Sequence, residues 1–506
     1  MSNASAPELN LLKARMKELS GLQAAAALMY WDQATYLPEG AAEARGEHLA
    51  TLEKFAHQLS TAPEVGQWLE SLSRQNLDEK SNDHFLVKIA REDFDRNSRL
   101  PAEFRAEQAS HASRSYEAWK KAREANDFSI VSGHMKKTLD LSRKMAEYLR
   151  EPHHKSMIDP LIEISDKGFN EANLRVLFGE LRSRLLPLLE KISAAAPFDD
   201  ACLREHFPED KQLAFGENAL KKIGYEFSRG RQDKTAHPFM IRFAHSDVRI
   251  TTRVRENYFG EAFFSTIHEG GHALYELGID PSLDGTPLAQ GASTAVHESQ
   301  SRLWENLVGR SLPFWEYFYP QLQSTFPNQL GKVSLAKFHK AINRVERSLI
   351  RTDADEVTYN LHVMIRFDLE CDLLEGRLKI EDLPEAWNER YRSDLGLLPS
   401  KLSEGVLQDV HWFHGGIGGY FQGYTIGNVM SGQIYATALK AMPDLEDQFR
   451  RGDFATLREW LRTNLHQYGR KFDGPELMKK ITGRELAAED YLRYLETKYS
   501  KLLTLA

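Results

Sequence analysis

The stretch His268-Glu-Gly-Gly-His272 lies within residues 261–277, where apolar side chains recur at the spacing of an α-helix. Residues four apart lie one above the other on a helix face, so the two imidazoles can bind one metal ion while Glu269 projects beside them. A carboxylate beside a metal ion is the arrangement that metal-assisted hydrolysis needs. The stretch therefore predicts a long helix that carries two metal ligands and a catalytic carboxylate.

A third ligand is available on the next predicted helix. Residues 279–292 are rich in proline and glycine and predict a loop, after which a helix restarts near Thr294 and carries Glu298. Two histidines from one helix and a glutamate from the next form the His₂Glu set of catalytic zinc sites, which leaves one coordination position open. The alternative for Glu298 is a solvated carboxylate at a helix start.

Two glycines weigh against a surface helix with two solvated histidines. Gly270 and Gly271 each cost about 1 kcal/mol relative to alanine in a helix interior. That cost is explained if another segment approaches this backbone closely. We therefore expect the histidine-bearing helix to be packed in the interior.

The rest of the chain predicts a mainly α-helical protein with a small β-hairpin beside the metal-binding helix. Helical periodicity dominates the first two hundred residues and indicates a helical lobe that extends to about residue 230. Residues 238–243 and the alternating residues 248–254, joined by a turn, predict the hairpin. A helical tract at 335–375 contains a polar break at 352–356. One helix face at the N-terminus is formed by Leu9, Leu12, Met16 and Leu19.

Composition excludes several classes of partner. With 65 Lys and Arg against 73 Asp and Glu the net charge is −8, and no basic cluster favours nucleic acid. No apolar run approaches the roughly 20 residues of a membrane span, and no basic and apolar leader marks a secretory signal. Cys202 and Cys371 cannot form a disulfide framework and are expected to be buried and unreactive. We expect a cytoplasmic protein.

Beyond the HExxH motif, ordered signatures spread from about residue 30 to 430 resemble the carboxypeptidase Taq family of metallocarboxypeptidases. The segments that carry the resemblance are Tyr30-Trp-Asp-Gln-Ala-Thr35, His237-Pro-Phe239, Asp247-Val-Arg-Ile-Thr251, His268-Glu-Gly-Gly-His272, His297-Glu-Ser-Gln300, Ile350-Arg-Thr-Asp-Ala-Asp355 and Gly405-Val-Leu-Gln-Asp-Val-His-Trp412.

The resemblance implies a mostly helical, two-lobed body with a deep groove, one zinc ion at its floor, and removal of single residues from the C-termini of peptides. Carried onto this chain, His268, His272 and Glu298 hold the metal and Glu269 is the general base. Family members are homodimers of broad specificity, with proline a usual exception, and some use cobalt as well as zinc.

An exopeptidase has to bind a free carboxylate, for which an arginine fork is the best side chain. Arg249 and Arg351 both lie in family signatures. The alternative for Arg351 is a structural ion pair with Asp353 or Asp355, and Arg249 could lie on the solvent face of its strand. The hairpin offers a strand edge to which an extended peptide can add.

A neutral donor to the developing oxyanion is expected in the glycine-rich segment 415–424, which contains Tyr420 and Tyr424. The alternative is a surface loop whose tyrosines pack on neighbouring helices. His237 and His411 are further candidates for binding substrate, although a histidine near aromatic residues is often a hydrogen-bonded core residue.

The sequence thus predicts a single metallocarboxypeptidase domain over residues 1–506, with a helical lobe to about 230, a metal-site region at 231–430 and C-terminal helices at 431–506. Peptides are its predicted partners. Two alternatives remain open at this stage. One is a zinc oligo-endopeptidase with the same metal site, and the other is a non-catalytic helical peptide-binding protein with a structural zinc.

Overall fold

The structure, a computed structural model, describes residues 7–195 and 198–504. It confirms the mainly α-helical class, because 22 α-helices and three short β-strands make up most of the described chain. The helices that precede the sheet are α1 (Pro7–Thr35), α2 (Ala42–Ser60), α3 (Pro63–Ser73), α4 (Asn82–Arg99), α5 (Ala102–Ala125), α6 (Ser129–Leu149), α7 (Asp159–Ser165), α8 (Glu171–Ser193) and α9 (Glu209–Ile223). Those that follow it are α10 (Phe259–Gly278), α11 (Thr294–Arg302), α12 (Leu312–Thr325), α13 (Pro327–Leu330), α14 (Leu335–Ile342), α15 (Tyr359–Leu374), α16 (Leu383–Leu395), α17 (His411–His414), α18 (Gln422–Ala441), α19 (Leu445–Arg450), α20 (Ala455–Asn464), α21 (Gly474–Thr482) and α22 (Glu489–Thr504).

The predicted hairpin is present and belongs to a three-stranded sheet. Strand β2 (Met240–Ala244) pairs antiparallel with β3 (Asp247–Thr252), with Met240 opposite Ile250. Strand β1 (Gln232–Lys234), which the sequence did not predict, pairs parallel with β3 on its other side. β1 consists of three polar or charged residues, so it has no apolar alternation that would reveal it.

The core forms around α10. One buried cluster runs from Ala118 to Leu502 and includes residues of α5 to α9, the sheet and most later helices. A second cluster joins α1, α3 and α4 to the loop that follows α10. The predicted apolar face of α1 is confirmed, since its four residues are all buried.

Two regions differ from the prediction. The tract 335–375 is not one helix with a short break, because α14 ends at Ile342 and α15 begins at Tyr359. The intervening chain contains a 3₁₀ turn at Arg351–Asp353 and is tied back by the Asp355 carboxylate, which accepts the backbone N–H groups of Glu346, Val357 and Thr358. The predicted start of the C-terminal helices, residue 431, falls inside α18.

Both cysteines are free and buried, as expected, and burial raises the pKa of the Cys202 thiol to about 11. In the described part of the chain, no helix combines the length and the hydropathy that crossing a membrane demands. Residues 1–6, on which the expectation of no secretory signal partly depends, lie outside the described residues.

Candidate active site

Glycines allow the helices of the site to touch at their backbones. A Cβ atom on Gly271 of α10 would lie 2.6 Å from the carbonyl oxygen of Gln300 and 2.7 Å from Cα of Ser301. On the other side of α11, a Cβ on Gly427 of α18 would lie 2.7 Å from Cβ of Glu298. Helix α11 is therefore held between α10 and α18, and the close approach that the glycine pair predicted is the contact between α10 and α11.

This contact brings the three predicted metal ligands together. One ligand atom each from His268, His272 and Glu298 lies within 4.8 Å of the others. Glu298 Oε2 is 3.7 Å from Nε2 of His268 and 3.5 Å from Nε2 of His272. Ligand atoms about 2.0–2.1 Å from a tetrahedral ion are roughly 3.3 Å apart, so the three atoms are close to the geometry of one shared ion.

The hydrogen bonds of the two imidazoles favour the tautomers that metal binding needs. Nδ1 of His268 lies 2.9 Å from Oε2 of Glu305 and donates to it. Nδ1 of His272 lies 2.7 Å from Nδ1 of His297, whose Nε2 lies 2.8 Å from the Glu276 carboxylate. His297 therefore donates to Glu276 and accepts from His272. In both predicted ligands these bonds favour a proton on Nδ1, which leaves Nε2, the nitrogen nearer Glu298, as the atom that can bind an ion.

A second group of potential ligands among the described residues, formed by His153, His154 and Glu163, is less suited to a metal. The backbone N–H of Glu151 donates to Nδ1 of His154 over 2.9 Å. Because a neutral imidazole carries one proton, Nε2 of His154 holds it and offers no lone pair to an ion. The donor set at α10 and α11 is the one that fits.

Arg302 keeps two carboxylates ionised, that of the predicted ligand Glu298 and that of Glu305. Its Nε lies 2.6 Å from Oε1 of Glu298, and its Nη1 lies 3.0 Å from Oε2 of Glu305. Burial alone would raise both carboxyl pKa values, but the guanidinium and the ligand histidines outweigh it. The pKa of Glu305 is lowered to about 2, and that of Glu298 is lowered further. Burial lowers the pKa of His272 to about 3, which keeps this ligand neutral.

Glu269 has the opposite environment. Glu269 is only 6% exposed, and the charged groups that act on its pKa are histidines and other glutamates. Burial, with a smaller contribution from the neighbouring acids, raises its pKa to about 7. A carboxyl group with this pKa can accept and return a proton near neutral pH. Two glutamates of one site thus have pKa values pushed far apart, as expected for a structural ligand and an acid–base group.

The site forms the floor of a cavity of about 970 Å³. Helix α1 lines the cavity with small residues that include Ser20, Ala24 and Ala27. Strand β2 and the residue before it contribute Phe239, Met240 and Arg242. β2 is an edge strand of the sheet, so a strand edge lines the cavity as the peptide-addition hypothesis requires. The three predicted ligands and the predicted base all line this space: His268, His272, Glu298 and Glu269.

Tyr420 and Tyr424 also line the cavity. Their rings lie 5.6 Å apart, and Tyr420 is 45% exposed. The end of the glycine-rich segment is helical, because α18 begins at Gln422 and holds Tyr424 in its first turn. Burial raises the pKa of Tyr424 well above its usual value, so its hydroxyl stays protonated and can donate a hydrogen bond.

The other four predicted substrate residues do not line the cavity in the described structure. His237 is exposed before β2. Arg249 donates twice to Asp247, at 2.9 and 2.8 Å, and stacks on the ring of Trp31. Neither Asp353 nor Asp355 is the partner of Arg351.

Arg351 is buried behind Tyr424 and is bound instead by Asp409, with its Nη2 2.8 Å from Oδ1. His411 lies 3.7 Å from the same carboxylate, and burial lowers its pKa to about 4. The cavity presents other cations, Arg96, Arg242 and Arg470, each paired with an acidic residue.

The groups that bind the predicted ligands were not expected from the sequence. Glu305 lies in a π-helical segment, Leu303–Val308, that continues α11. A signal was available, because Glu298, Arg302 and Glu305 recur at offsets of four and three and so share one helix face. His297 and Glu276 had no comparable signal, since their contact depends on how the loop between α10 and α11 folds back.

Comparisons with known proteins agree with this geometry. The family model for the carboxypeptidase Taq (M32) metallopeptidases matches residues 11–499. The chain belongs to this family.

Thermostable carboxypeptidase 1 of Thermus thermophilus is 40% identical over 97% of this chain and 98% of its own. Carboxypeptidase 1 of Bacillus subtilis is 34% identical over 97% of both chains. The crystal structure of the M32 carboxypeptidase from Deinococcus radiodurans R1 superposes with a TM-score of 0.96 at 46% identity, covering 99% of this chain and 100% of that one. The M32 assignment makes this chain a metallocarboxypeptidase, a peptide hydrolase, and neither an endopeptidase nor a non-catalytic binding protein is favoured.

Proposed function

We propose that the chain is a zinc carboxypeptidase of broad specificity in which His268, His272 and Glu298 hold the metal and Glu269 is the general base. One observation carries the proposal. Two imidazole nitrogens and a carboxylate oxygen converge on one point at the floor of a cavity, and a buried carboxyl group with a pKa of about 7 lies beside them.

The donor set suits the proposed ion. Two neutral imidazoles and one carboxylate are borderline ligands that match Zn²⁺, and Co²⁺ accepts the same set. When bound, such an ion supplies Lewis acidity to a carbonyl oxygen and acidifies a water molecule. Arg302 binds Oε1 of Glu298, so Oε2, the oxygen nearer the two histidines, would be the one available to hold the ion.

Glu269 accepts the proton of the attacking water and passes it to the departing amine. The burial that raises its pKa also places the proton-accepting and proton-donating forms at similar energy near pH 7, which both steps require. Tyr424 is the better-placed donor to the scissile carbonyl oxygen, because it lines the cavity and His411 does not. The strand β2 and the small face of α1 bind the peptide between them.

Three finer properties are proposed from the resemblance and from composition. The protein acts as a homodimer, accepts many C-terminal residues other than proline, and works in the cytoplasm, where its two free buried cysteines stay reduced.

The test is the variant Glu269→Gln beside the matched control Glu261→Gln, which makes the same change on the same helix away from the cavity. Both proteins should bind one zinc ion per chain by elemental analysis. E269Q should lose nearly all release of the C-terminal residue from a peptide, whereas E261Q should keep it. Full turnover in E269Q would refute the assignment of the base.

A further inference from the structure

Asp166 is a buried carboxylate that none of the preceding chemistry uses. It follows the last residue of α7 and is 0% exposed. Oδ1 accepts the backbone N–H of Ala295 over 2.7 Å. Oδ2 lies 2.9 Å from the hydroxyl of Ser165 and 3.2 Å from the amide nitrogen Nε2 of Gln422. Three segments that are distant in sequence therefore meet at one carboxyl group.

The first of these segments is the helix that carries the predicted ligand Glu298. Ala295 lies in the first turn of α11, where backbone N–H groups have no partner within the helix. Ser293, the residue before the helix, accepts the N–H of Val296. Asp166, from a segment distant in sequence, accepts the N–H of Ala295. A negative charge at a helix N-terminus is stabilised by the aligned peptide dipoles. The position of α11 is thereby tied to α7.

The second segment carries Tyr420 and Tyr424. Gln422, the first residue of α18, donates to both Asp166 and Ser165, and the Ser165 hydroxyl lies 2.7 Å from the carbonyl oxygen of Gly419. A Cβ on Gly423 would lie 2.9 Å from Oδ2 of Asp166, so the chain passes directly against the carboxylate. Gly419, which precedes Tyr420, and Gln422, which lies between the two tyrosines, are thus bound to the same pair, Ser165 and Asp166.

We propose that Asp166 is a positioning residue that keeps the metal-ligand helix α11 and the tyrosine-bearing segment 419–424 in register with each other. The inference rests on the proposed function, because that function gives Glu298 and Tyr424 their roles. Asp166 touches neither the metal ligands nor the cavity, and it acts through Ala295 and Gln422.

A carboxylate suits this place better than an amide. The backbone N–H of Ala295 and Nε2 of Gln422 both direct hydrogens at it, one at each oxygen, and both carboxylate oxygens accept. Asparagine would keep one accepting oxygen, but its NH₂ group would face the donor of Ala295 or that of Gln422. We expect Asp166→Asn to weaken the contacts that join α11 to the start of α18, while both helices remain folded.

The chain offers a control at the opposite end of α7. Asp159 begins α7 and is 2% exposed. Its carboxylate accepts the backbone N–H groups of Lys155, Ser156 and Glu171 over 2.8 to 3.0 Å, and none of these belongs to the site. D159N and D166N therefore make the same change to equally buried groups, and only D166N disturbs the junction of α11 with α18.

Three measurements separate positioning from simple stability: kcat and KM for release of a C-terminal residue, the visible absorption spectrum of the Co²⁺-loaded protein, and hydrogen exchange of the amides in 294–298 and 415–424. For D166N we expect kcat to fall about tenfold or more with a smaller change in KM, an altered cobalt spectrum and faster exchange in both segments. D159N should lose similar thermal stability while keeping kcat, spectrum and exchange.

A further variant, Gln422→Leu, cuts only the tie to α18. It should speed exchange in 415–424 and lower kcat, yet leave the cobalt spectrum unchanged, and it remains informative if D166N does not fold. Unchanged exchange and kcat in D166N, or in Q422L, would overturn the proposal, as would an equal loss of kcat in D159N. If the wild-type protein released no amino acid, the proposed function would fail, while exchange and spectrum would still decide the role of Asp166.

Discussion

Gly271→Ala is the substitution that most directly tests how the site is built. The added Cβ would lie 2.6 Å from the carbonyl oxygen of Gln300 and 2.7 Å from Cα of Ser301. Ordinary contact begins at 3.4 Å, so α10 and α11 have to separate by about 0.8 Å at this point. Both obstacles are backbone atoms and cannot rotate away. The shift would move α10, which carries His268 and His272, away from α11, which carries Glu298.

A displacement of this size is large for a metal site. Metal–ligand distances tolerate only about 0.2 Å, so an 0.8 Å shift strains or breaks the bond to Glu298. We expect the affinity for zinc to fall by about 10–100-fold, comparable with the loss of a group that orients a ligand. The fold should survive, because overpacking costs about 1–3 kcal/mol and alanine in place of glycine returns up to about 1 kcal/mol of helix propensity.

Neighbouring glycines supply controls for this experiment. A Cβ on Gly270 would meet only the end of the Leu220 side chain, which can rotate, and one on Gly179 of α8 would meet nothing within 4 Å. Zinc affinity is measured by competition with a chelator on metal-free protein reloaded in steps, and thermal unfolding is followed in parallel. G270A and G179A should bind zinc as the wild type does. Wild-type zinc affinity and turnover in G271A would refute the reasoning.

Two further predictions concern buried carboxylates. Glu305→Gln removes the charge that fixes the Nδ1–H tautomer of His268 and should weaken zinc binding by about 10–100-fold without unfolding the protein, as chelator competition and circular dichroism can show; unchanged affinity would contradict this. Glu370 is 1% exposed, and burial raises its pKa from the ordinary 4.5 to about 7. Its contribution to stability is therefore present below pH 4.5 and is lost as the pH rises to about 7. Between pH 4.5 and 8, Glu370→Gln should therefore gain about 3 kcal/mol of unfolding free energy relative to the wild type in urea titrations, and a difference that does not change with pH would rule the argument out.

The parts of the fold that could be predicted are those with a local signal. The histidine-bearing helix was expected at 261–277 and spans Phe259–Gly278, because its apolar period and terminal glycine are properties of the segment itself. The hairpin was predictable for the same reason. Strand β1 was not, since its three residues have no apolar alternation and pair with β3 only after the chain has passed through β2.

The residues of the site also divide into those with a local sequence signal and those without one. Two of the proposed ligands and the proposed base share one helix, so their spacing predicts their geometry. Glu298 could be added because its helix start is also marked locally, by Ser293 and the preceding glycine.

The residues that line the cavity depend on tertiary packing. Arg351 shows the difference, since its partner Asp409 is distant in sequence and nothing near Arg351 predicted it. Periodicity also could not place Tyr424, because glycines mask the start of α18.

The most direct test is whether cleavage requires a free carboxylate at the C-terminus of the peptide. The metal-loaded protein is given one peptide in two forms, with a free C-terminal carboxylate and with a C-terminal amide, and the released amino acids are measured over time. We expect stepwise release of single residues from the free C-terminus, loss of most of that activity on the amide, and loss of both when the metal is removed. Internal cleavage of the amidated peptide at an undiminished rate would contradict the assignment as a metallocarboxypeptidase.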